Sequence, residues 1–357
     1  VFDASSTARL LVVIIGAITL LFGALIGTAK DDIKKALAAS TMSQIGYMIL
    51  ASGLGPVGYA FAIMHLLTHG FFKAGMFLGA GSVMHGMNDE VNMRKYGGIA
   101  KAMPITAVTF GLGYLAILGV PPFAGFYSKD KIIETAFNAG GTTGWVIGSA
   151  ALLGAAITAF YMTRVVVLTF TGAKRWDSGA HPHESPVLMW LPMAILAIGS
   201  VASGFLFTSG DALVNWLQPV VNAEHHMHEG EVLKPIVISA MALGVVALGV
   251  ILAITKYRTV PVEAPTNVSI FTRAARKDLF QDSFNEAVFM RPGQALTKSL
   301  VKTDDKVIDG AVRGIAWSAI TTAVGLKKLQ NGYVRTYALT MIVGVVALVA
   351  TIWVVTL

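Results

Sequence analysis

The 357-residue sequence has no cysteine, which excludes disulfides, thiolate metal sites, ligation of iron–sulfur clusters by this chain and cysteine nucleophiles. Charge is scarce as well. Only 13% of residues are Asp, Glu, Lys or Arg, against roughly 25% in a soluble globular domain. No glycine-rich loop between a strand and a helix offers a phosphate cradle, and no serine elbow occurs. No signal peptide is visible, and the chain opens at Val1 rather than Met, which suggests a fragment or a missing upstream part.

What fills the sequence instead is apolar. The hydrophobic fraction is 55%, with 37 glycines, and mean hydropathy is +0.67. A soluble fold of this length hides far less apolar material and a disordered chain almost none. The apolar residues arrive in blocks of about 20, enough for a helix to cross a hydrocarbon core roughly 30 Å thick. The formal charge of +7 does not point to nucleic acid, because Lys and Arg sit in short loops between apolar blocks and form no stripe. The chain reads as an all-α, polytopic transmembrane helix bundle.

Eight spans are expected, at roughly 8–29, 36–54, 57–85, 104–138, 145–171, 187–208, 235–255 and 334–357. The block 104–138 is too long for one straight helix and carries Gly119-Val120-Pro121-Pro122 and Gly125 near its middle. Proline removes a donor and clashes with the preceding turn, so this helix is expected to break within the membrane. Loop charges say how often it crosses. Basic clusters fall at Lys30/Lys34/Lys35, Arg94/Lys95/Lys101, Lys174/Arg175 and Lys256/Arg258, whereas 51–57, 139–144 and 209–233 have no Lys or Arg. Keeping every cluster on one side requires 104–138 to cross once, as a discontinuous helix, with the basic side cytoplasmic.

Residues 256–333 break this rhythm. Pro261 and Pro265 give an extended link, after which Leu296, Leu300, Val307, Ala311 and Ile315 fall on one helical face while Lys298, Lys302, Asp305, Asp309 and Arg313 fall elsewhere. The run Gly314–Leu326 is too short to span, and Pro292-Gly293 is expected to kink or divide the helix. If mostly helical, the segment reaches up to about 117 Å. Two readings stand: an amphipathic helix folded back in the interface, or a lateral arm laid across neighbouring subunits.

A charge at mid-bilayer costs about 2.5–3.5 kcal/mol even on the lenient scale, so each one needs a reason. His65, His69 and Lys73 are spaced i, i+4, i+8 and climb one face of their helix in steps of about 6 Å. That ladder suits a proton relay with one water bridging each gap. A satisfied core histidine pair and a metal site are the alternatives, the latter lacking a third ligand nearby in sequence. Lys129 follows the helix break, where the C-terminal end of a half-helix carries partial negative charge that favours an ammonium, and Asp130 is a counter-ion candidate for Lys129 or Lys131. The opposing reading makes Ser128–Lys131 a loop outside the bilayer. Lys34 and Lys35 fit either positive-inside anchoring or a channel mouth, and Ser40, Thr41, Ser43, Gln44 and Tyr47 either line a wet path or glue helices. His225-His226-Met227-His228, between Glu224 and Glu229, has the composition of a metal tract but reads as solvated loop, as does His181-Pro182-His183-Glu184. The glycines read as helix-packing residues.

Two stretches carry a resemblance. Asp32-Ile33-Lys34-Lys35-Ala36-Leu37-Ala38-Ala39-Ser40-Thr41-Met42-Ser43-Gln44-Ile45-Gly46-Tyr47-Met48 and His65-Leu66-Leu67-Thr68-His69-Gly70-Phe71-Phe72-Lys73-Ala74 closely resemble the signature of the antiporter-like subunits of respiratory complex I. Phe126-Tyr127-Ser128-Lys129-Asp130, the amphipathic stretch and the final span resemble the C-terminal portion of the distal member; a related member carries Glu where Lys129 stands. The resemblance covers essentially the whole chain.

The resemblance implies a five-helix antiporter-like repeat at 1–172, the second of the family's two inverted repeats, with no counterpart of the first repeat or its Glu–Lys pair. It further implies two additional transmembrane helices at 173–255, a long lateral amphipathic arm at 256–333 and a terminal transmembrane helix at 334–357. Lys73 would be the central lysine, His69 its relay and Lys129 the terminal lysine facing the exit, with Lys34 and His65 secondary and Asp130 beside Lys129. The implied function is proton translocation in NADH:quinone oxidoreductase, without redox chemistry on this chain. No cofactor or metal is expected here; FMN, iron–sulfur clusters and quinone belong to other subunits. Implied partners are complex I membrane subunits of M, N, K and J type, contacted partly through the lateral helix, and the lipid of a bacterial plasma membrane. The alternatives are the large subunit of a multisubunit Na⁺/H⁺ antiporter and a non-conducting scaffold whose arm clamps neighbours.

Overall fold

The computed structural model describes residues 5–177, 179–221 and 232–356, and every extended element among them is a helix. The first unit runs to Phe280. It contains α1 (Ser6–Ala29), α2 (Ile33–Gly53), α3 (Pro56–Gly86), α4 (Pro104–Leu118), α5 (Ala124–Asn138), α6 (Gly141–Phe170), α7 (Val187–Thr208), α8 (Ala212–Val221), α9 (Pro235–Tyr257) and α10 (Ile270–Arg276). Local chemistry sets several starts. Asp32 caps α2 by accepting from the Lys34 and Lys35 amides at 2.8 and 3.1 Å, and α3, α4 and α9 each place a proline in the first turn, where its missing N–H costs nothing.

Among the described residues six helical stretches are long and apolar enough to cross a membrane, including α1, α3, α6 and α9, so the chain is a polytopic helical membrane protein. α2 is not among them because Ser40, Thr41, Ser43 and Gln44 dilute it, yet it packs between α1 and α3. Glycine permits the closest of these contacts. A Cβ at Gly16 would overlap the backbone of Leu50, and one at Gly46 the backbone of Leu20, so α1 and α2 meet backbone to backbone as small residues allow in membranes.

The discontinuous helix is present as expected. α4 ends at Gly119 in a left-handed cap with φ +78°, its N–H bonded to the Ala116 carbonyl at 3.0 Å. α5 restarts at Ala124, and a Cβ at Gly125 would overlap the Ala116 carbonyl oxygen. At 15 residues each, neither half spans alone; together they cross once. The polar loops confirm the direction. At the basic face Arg94 pairs with Asp31 at 3.0 Å, Gly97 N–H bonds the Thr169 carbonyl and Arg175 N–H the Tyr96 carbonyl. At the other face Arg9 reaches the Gly53 carbonyl at 3.4 Å and Val232 N–H the Asn138 side chain at 3.2 Å.

Two expectations for loops need correction or stand aside. His181 and His183 are exposed, but Glu184 is no free loop carboxylate. It accepts from the Ile105 and Thr106 amides at 2.7 and 3.2 Å and from the Thr106 hydroxyl at 2.5 Å, supplying the cap that Met103 lacks. The helix N-terminus attracts the carboxylate because its amides are otherwise unpaired. His225, His226 and His228, with Glu224 and Glu229, lie outside the described residues.

The second unit comprises residues 281–357. Here α11 (Gln281–Asn285), a π turn at Glu286–Met290, α12 (Arg291–Thr303), a second π turn at Asp304–Ile308 and α13 (Asp309–Leu329) form one unbroken helical run. Pro292 does not divide it. The Arg291 amide bonds the Glu286 carbonyl five residues back, and this widened turn accommodates a residue that has no donor of its own. The run from 281 to 329 is therefore about 74 Å long, shorter than the expected maximum because 258–269 is not helical, and it does not fold back on itself. α14 (Val334–Thr356) follows and is long and apolar enough to span.

Candidate functional site

α3 carries the ladder. His65, His69 and Lys73 are 0%, 6% and 5% exposed, and the imidazole centroids of His65 and His69 lie 6.0 Å apart, the separation that one helical turn imposes. Phe72 covers both rings, at 6.2 Å from His65 and 5.3 Å from His69. Lys73 lies 5.6 Å from the Phe77 ring centre. Neither the Lys73 ammonium nor His69 Nε2 meets a hydrogen-bonding partner in the protein. A buried cation held this way is costly, which suits a group that takes up a proton only to pass it on.

His65 ties the ladder to the broken helix. Its Nδ1 lies 2.9 Å from Ser128 Oγ and its Nε2 3.1 Å from Gln44 Oε1. Both ring nitrogens of His65 thus have a side-chain partner, and which of them carries the proton sets the direction of each bond. Thr68 lies 2.9 Å from the same serine oxygen. Ser128 is thus a hub where α2, α3 and α5 meet, and all four side chains are fully buried.

The next residue, Lys129, is 1% exposed and donates to the carbonyls of Ile117 and Leu118 at 3.0 and 2.7 Å. These are carbonyls that α4 leaves unpaired where it stops, at the negative end of its dipole. A Cβ at Gly119 would sit 3.1 Å from Lys129 Cε, so glycine supplies both the left-handed turn and the room. Ser128–Lys131 is therefore helix within the bundle and not an outlying loop. Asp130 is buried but forms no ion pair with Lys129 or Lys131 among the described residues. It accepts instead from Ser239 on α9, while Lys131 pairs with Glu134 at 3.0 Å. The expected counter-ion is beside the lysine without being bonded to it, because successive residues of a helix point about 100° apart.

The structure brings His65, His69, Lys73, Lys129 and Asp130 into one buried region and leaves Lys34 out. Lys34 and Lys35 are exposed at the basic face, where the α2 N-terminus begins. Gln44, expected from the sequence either to line a wet path or to glue helices, joins them through His65; Ser128 and Thr68 are further members that the sequence did not mark. Arg164 was missed altogether, although an arginine inside an apolar block of 30 residues is itself such a signal. It is 1% exposed and binds the Lys30 carbonyl and the Asp31 carboxylate, a structural clasp at the basic face. Among the described residues no group of three or more His, Cys, Asp and Glu is arranged to hold a metal.

The chain is similar to known proteins. Residues 1–154 match the family described as NADH:quinone oxidoreductase/Mrp antiporter, TM. The whole chain is 58% identical to NADH-quinone oxidoreductase subunit L of Mycobacterium tuberculosis, covering 56% of that protein. Over 95% of its length it is 37% identical to NAD(P)H-quinone oxidoreductase chain 5 of Picosynechococcus, covering 55% of it. The chain spans little more than half the length of these curated relatives. The solved Mrp complex from Dietzia has the same fold over 62% of this chain and 49% of its own, with a TM-score of 0.54 and 23% identity. Residues 1–154 thus match the model of the NADH:quinone oxidoreductase/Mrp antiporter membrane domain, and the chain as a whole is similar to a part of NADH-quinone oxidoreductase subunit L.

Proposed function

We propose that this chain is the proton-translocating part of a membrane subunit of NADH:quinone oxidoreductase. Protons pass along Lys73, His69, His65, Ser128 and Lys129, with water carrying them across the gaps that no side chain closes. The observation that carries this reading is the junction at Ser128, which joins the α3 ladder to the residue preceding a lysine docked on a broken helix. Full-length similarity to a subunit of that name supports it. Charge on one rung raises the cost of charge on the next, so protonating one group expels a proton from its neighbour. Each proton moved outward requires about 2.3 kcal/mol per 100 mV, supplied by quinone reduction elsewhere.

In this reading residues 1–172 hold the path, and FMN, iron–sulfur clusters and quinone lie on other subunits. Subunits of M, N, K and J type flank the chain, partly along the helix 281–329, in a bacterial plasma membrane. Lys73→Ala and Lys129→Met, each introduced into the full-length subunit, are expected to lower proton pumping and coupled quinone reduction several-fold while the complex still assembles. Pumping at the wild-type rate in the Lys73→Ala complex overturns the relay.

A second reading, a large subunit of a multisubunit Na⁺/H⁺ antiporter, is favoured by the likeness to the Mrp complex. The much lower identity places it behind the first. Sodium-dependent proton exchange in vesicles lacking NADH would reverse that order.

A further inference from the structure

Away from the buried ladder, a cavity of about 280 Å³ opens at the basic face, between the ends of α1, α6 and α9 and the chain that runs from Thr259 to Arg276. Arg94, Lys256 and Arg276 line it, with the rings of Phe160 and Tyr257 and the hydroxyl-bearing Thr259. Among the described residues that line it there is no Asp or Glu. Glu263, on the same loop, is exposed and does not line it.

The positive charge there is only partly neutralised by the protein. Among the described residues Asp31 is the one carboxylate paired with a cation lining the cavity, and it is shared between Arg94 and Arg164, so one negative charge serves two guanidinium groups. Asp278 is taken by Lys30 at 2.7 Å. Lys256 meets only aromatic faces, 5.8 and 5.9 Å from the Phe160 and Tyr257 ring centres. Arg276 donates one nitrogen to the Pro265 carbonyl at 2.8 Å and keeps the rest of its fork. Arginine and lysine at the membrane's basic face, beside an interfacial tyrosine, present the donors and the field that a phosphate group requires. Below the cavity, α9 turns Leu248 and Leu252 outward, an apolar surface for acyl chains.

We infer that this cavity binds the phosphate of an anionic phospholipid headgroup, held by Lys256 and Arg276 with Arg94 behind them. The site is independent of the proton path. It wedges a lipid between the bundle and the segment that leads out of α9.

The test uses the full-length subunit in its purified complex, reconstituted in phosphatidylcholine nanodiscs containing a minor fraction of phosphatidylglycerol. Lipid retained after extraction into detergent is counted by native mass spectrometry. Phosphatidylglycerol is expected to be retained over phosphatidylcholine and to resist millimolar inorganic phosphate. Its affinity should fall about fivefold for Lys256→Gln and about 25-fold for Lys256→Gln with Arg276→Gln, the effect of removing one and two surface charges. Lys101→Gln, an exposed cation outside the cavity, should behave as wild type. Unchanged retention in the double variant, or an equal loss in Lys101→Gln, overturns the site. Displacement by inorganic phosphate alone overturns the lipid as its ligand.

Discussion

The Lys129 ammonium lies 2.7 Å from the carbonyl oxygen of Leu118, the last residue of the half-helix that precedes it. The break in the chain thus creates the acceptor for the lysine eleven residues later. That dependence makes Gly119 a sensitive position. Gly119→Ala places a methyl group 3.1 Å from Lys129 Cε at φ +78°, a conformation that costs a residue with a Cβ roughly 1–2 kcal/mol. The variant retains every titratable group, yet its pumping rate in proteoliposomes is expected to fall several-fold. A wild-type rate would show that docking of Lys129 on α4 does not matter.

Ser128 hydrogen-bonds His65 on α3 from the broken helix. Ser128→Ala leaves His65 Nδ1 buried without its hydrogen-bonding partner, at a cost of about 1–3 kcal/mol. Pumping should fall while Lys73 and Lys129 stay in place, and Ser128→Thr should recover part of it. Equal pumping by Ser128→Ala and wild type would mean that protons bypass the serine.

Asp31 holds Arg94 and the buried Arg164 together. Asp31→Asn leaves two cations facing each other, and breaking a buried pair typically costs about 3–5 kcal/mol. Thermal unfolding of the purified complex should show a clear loss, larger than that from Lys131→Gln, whose pair with Glu134 is partly exposed. Similar melting for both would remove the clasp from the account.

In the loop outside the spans, burial pushes the Glu90 carboxyl up, but the Lys95 ammonium and the amides of Asn92 and Val91 outweigh it and hold the group below its ordinary value. A depressed folded value means the contribution is complete above the unfolded value near 4.3 and is lost as pH falls through the folded one. Hydrogen exchange at the Val91 and Asn92 amides, which donate to Glu90 at 3.0 and 2.9 Å, should therefore stay protected at pH 5, once corrected for the intrinsic pH dependence, and loosen only as pH falls below the unfolded value near 4.3. In Glu90→Gln the corrected protection should not change over this range. A flat profile in the wild type as well would contradict the assignment.

Much of this was legible in the sequence because the bilayer imposes simple rules. The expected spans 8–29 and 235–255 became Ser6–Ala29 and Pro235–Tyr257, since length and hydropathy alone decide them. Gly119 and the two prolines announced the break for a reason confined to the backbone. Lys73 and the two histidines were on one face by helical period. Other features depended on partners distant in the chain. Nothing near Glu184 in sequence indicates that it caps α4 about 80 residues earlier, and nothing near Pro292 indicates that a π turn absorbs it.

The sequence by itself determined that the chain crosses a membrane repeatedly, that one of its helices is interrupted, and that His65, His69 and Lys73 share one helical face within an apolar block. These follow from composition and period, which are properties of consecutive residues. Only the tertiary structure decided that Ser128 joins His65 to the broken helix, that Asp130 turns to Ser239 rather than to Lys129, and that Asp31 serves two arginines. Each of these is a contact between helices, and a contact between helices is set by how their faces pack, which no stretch of a single helix encodes.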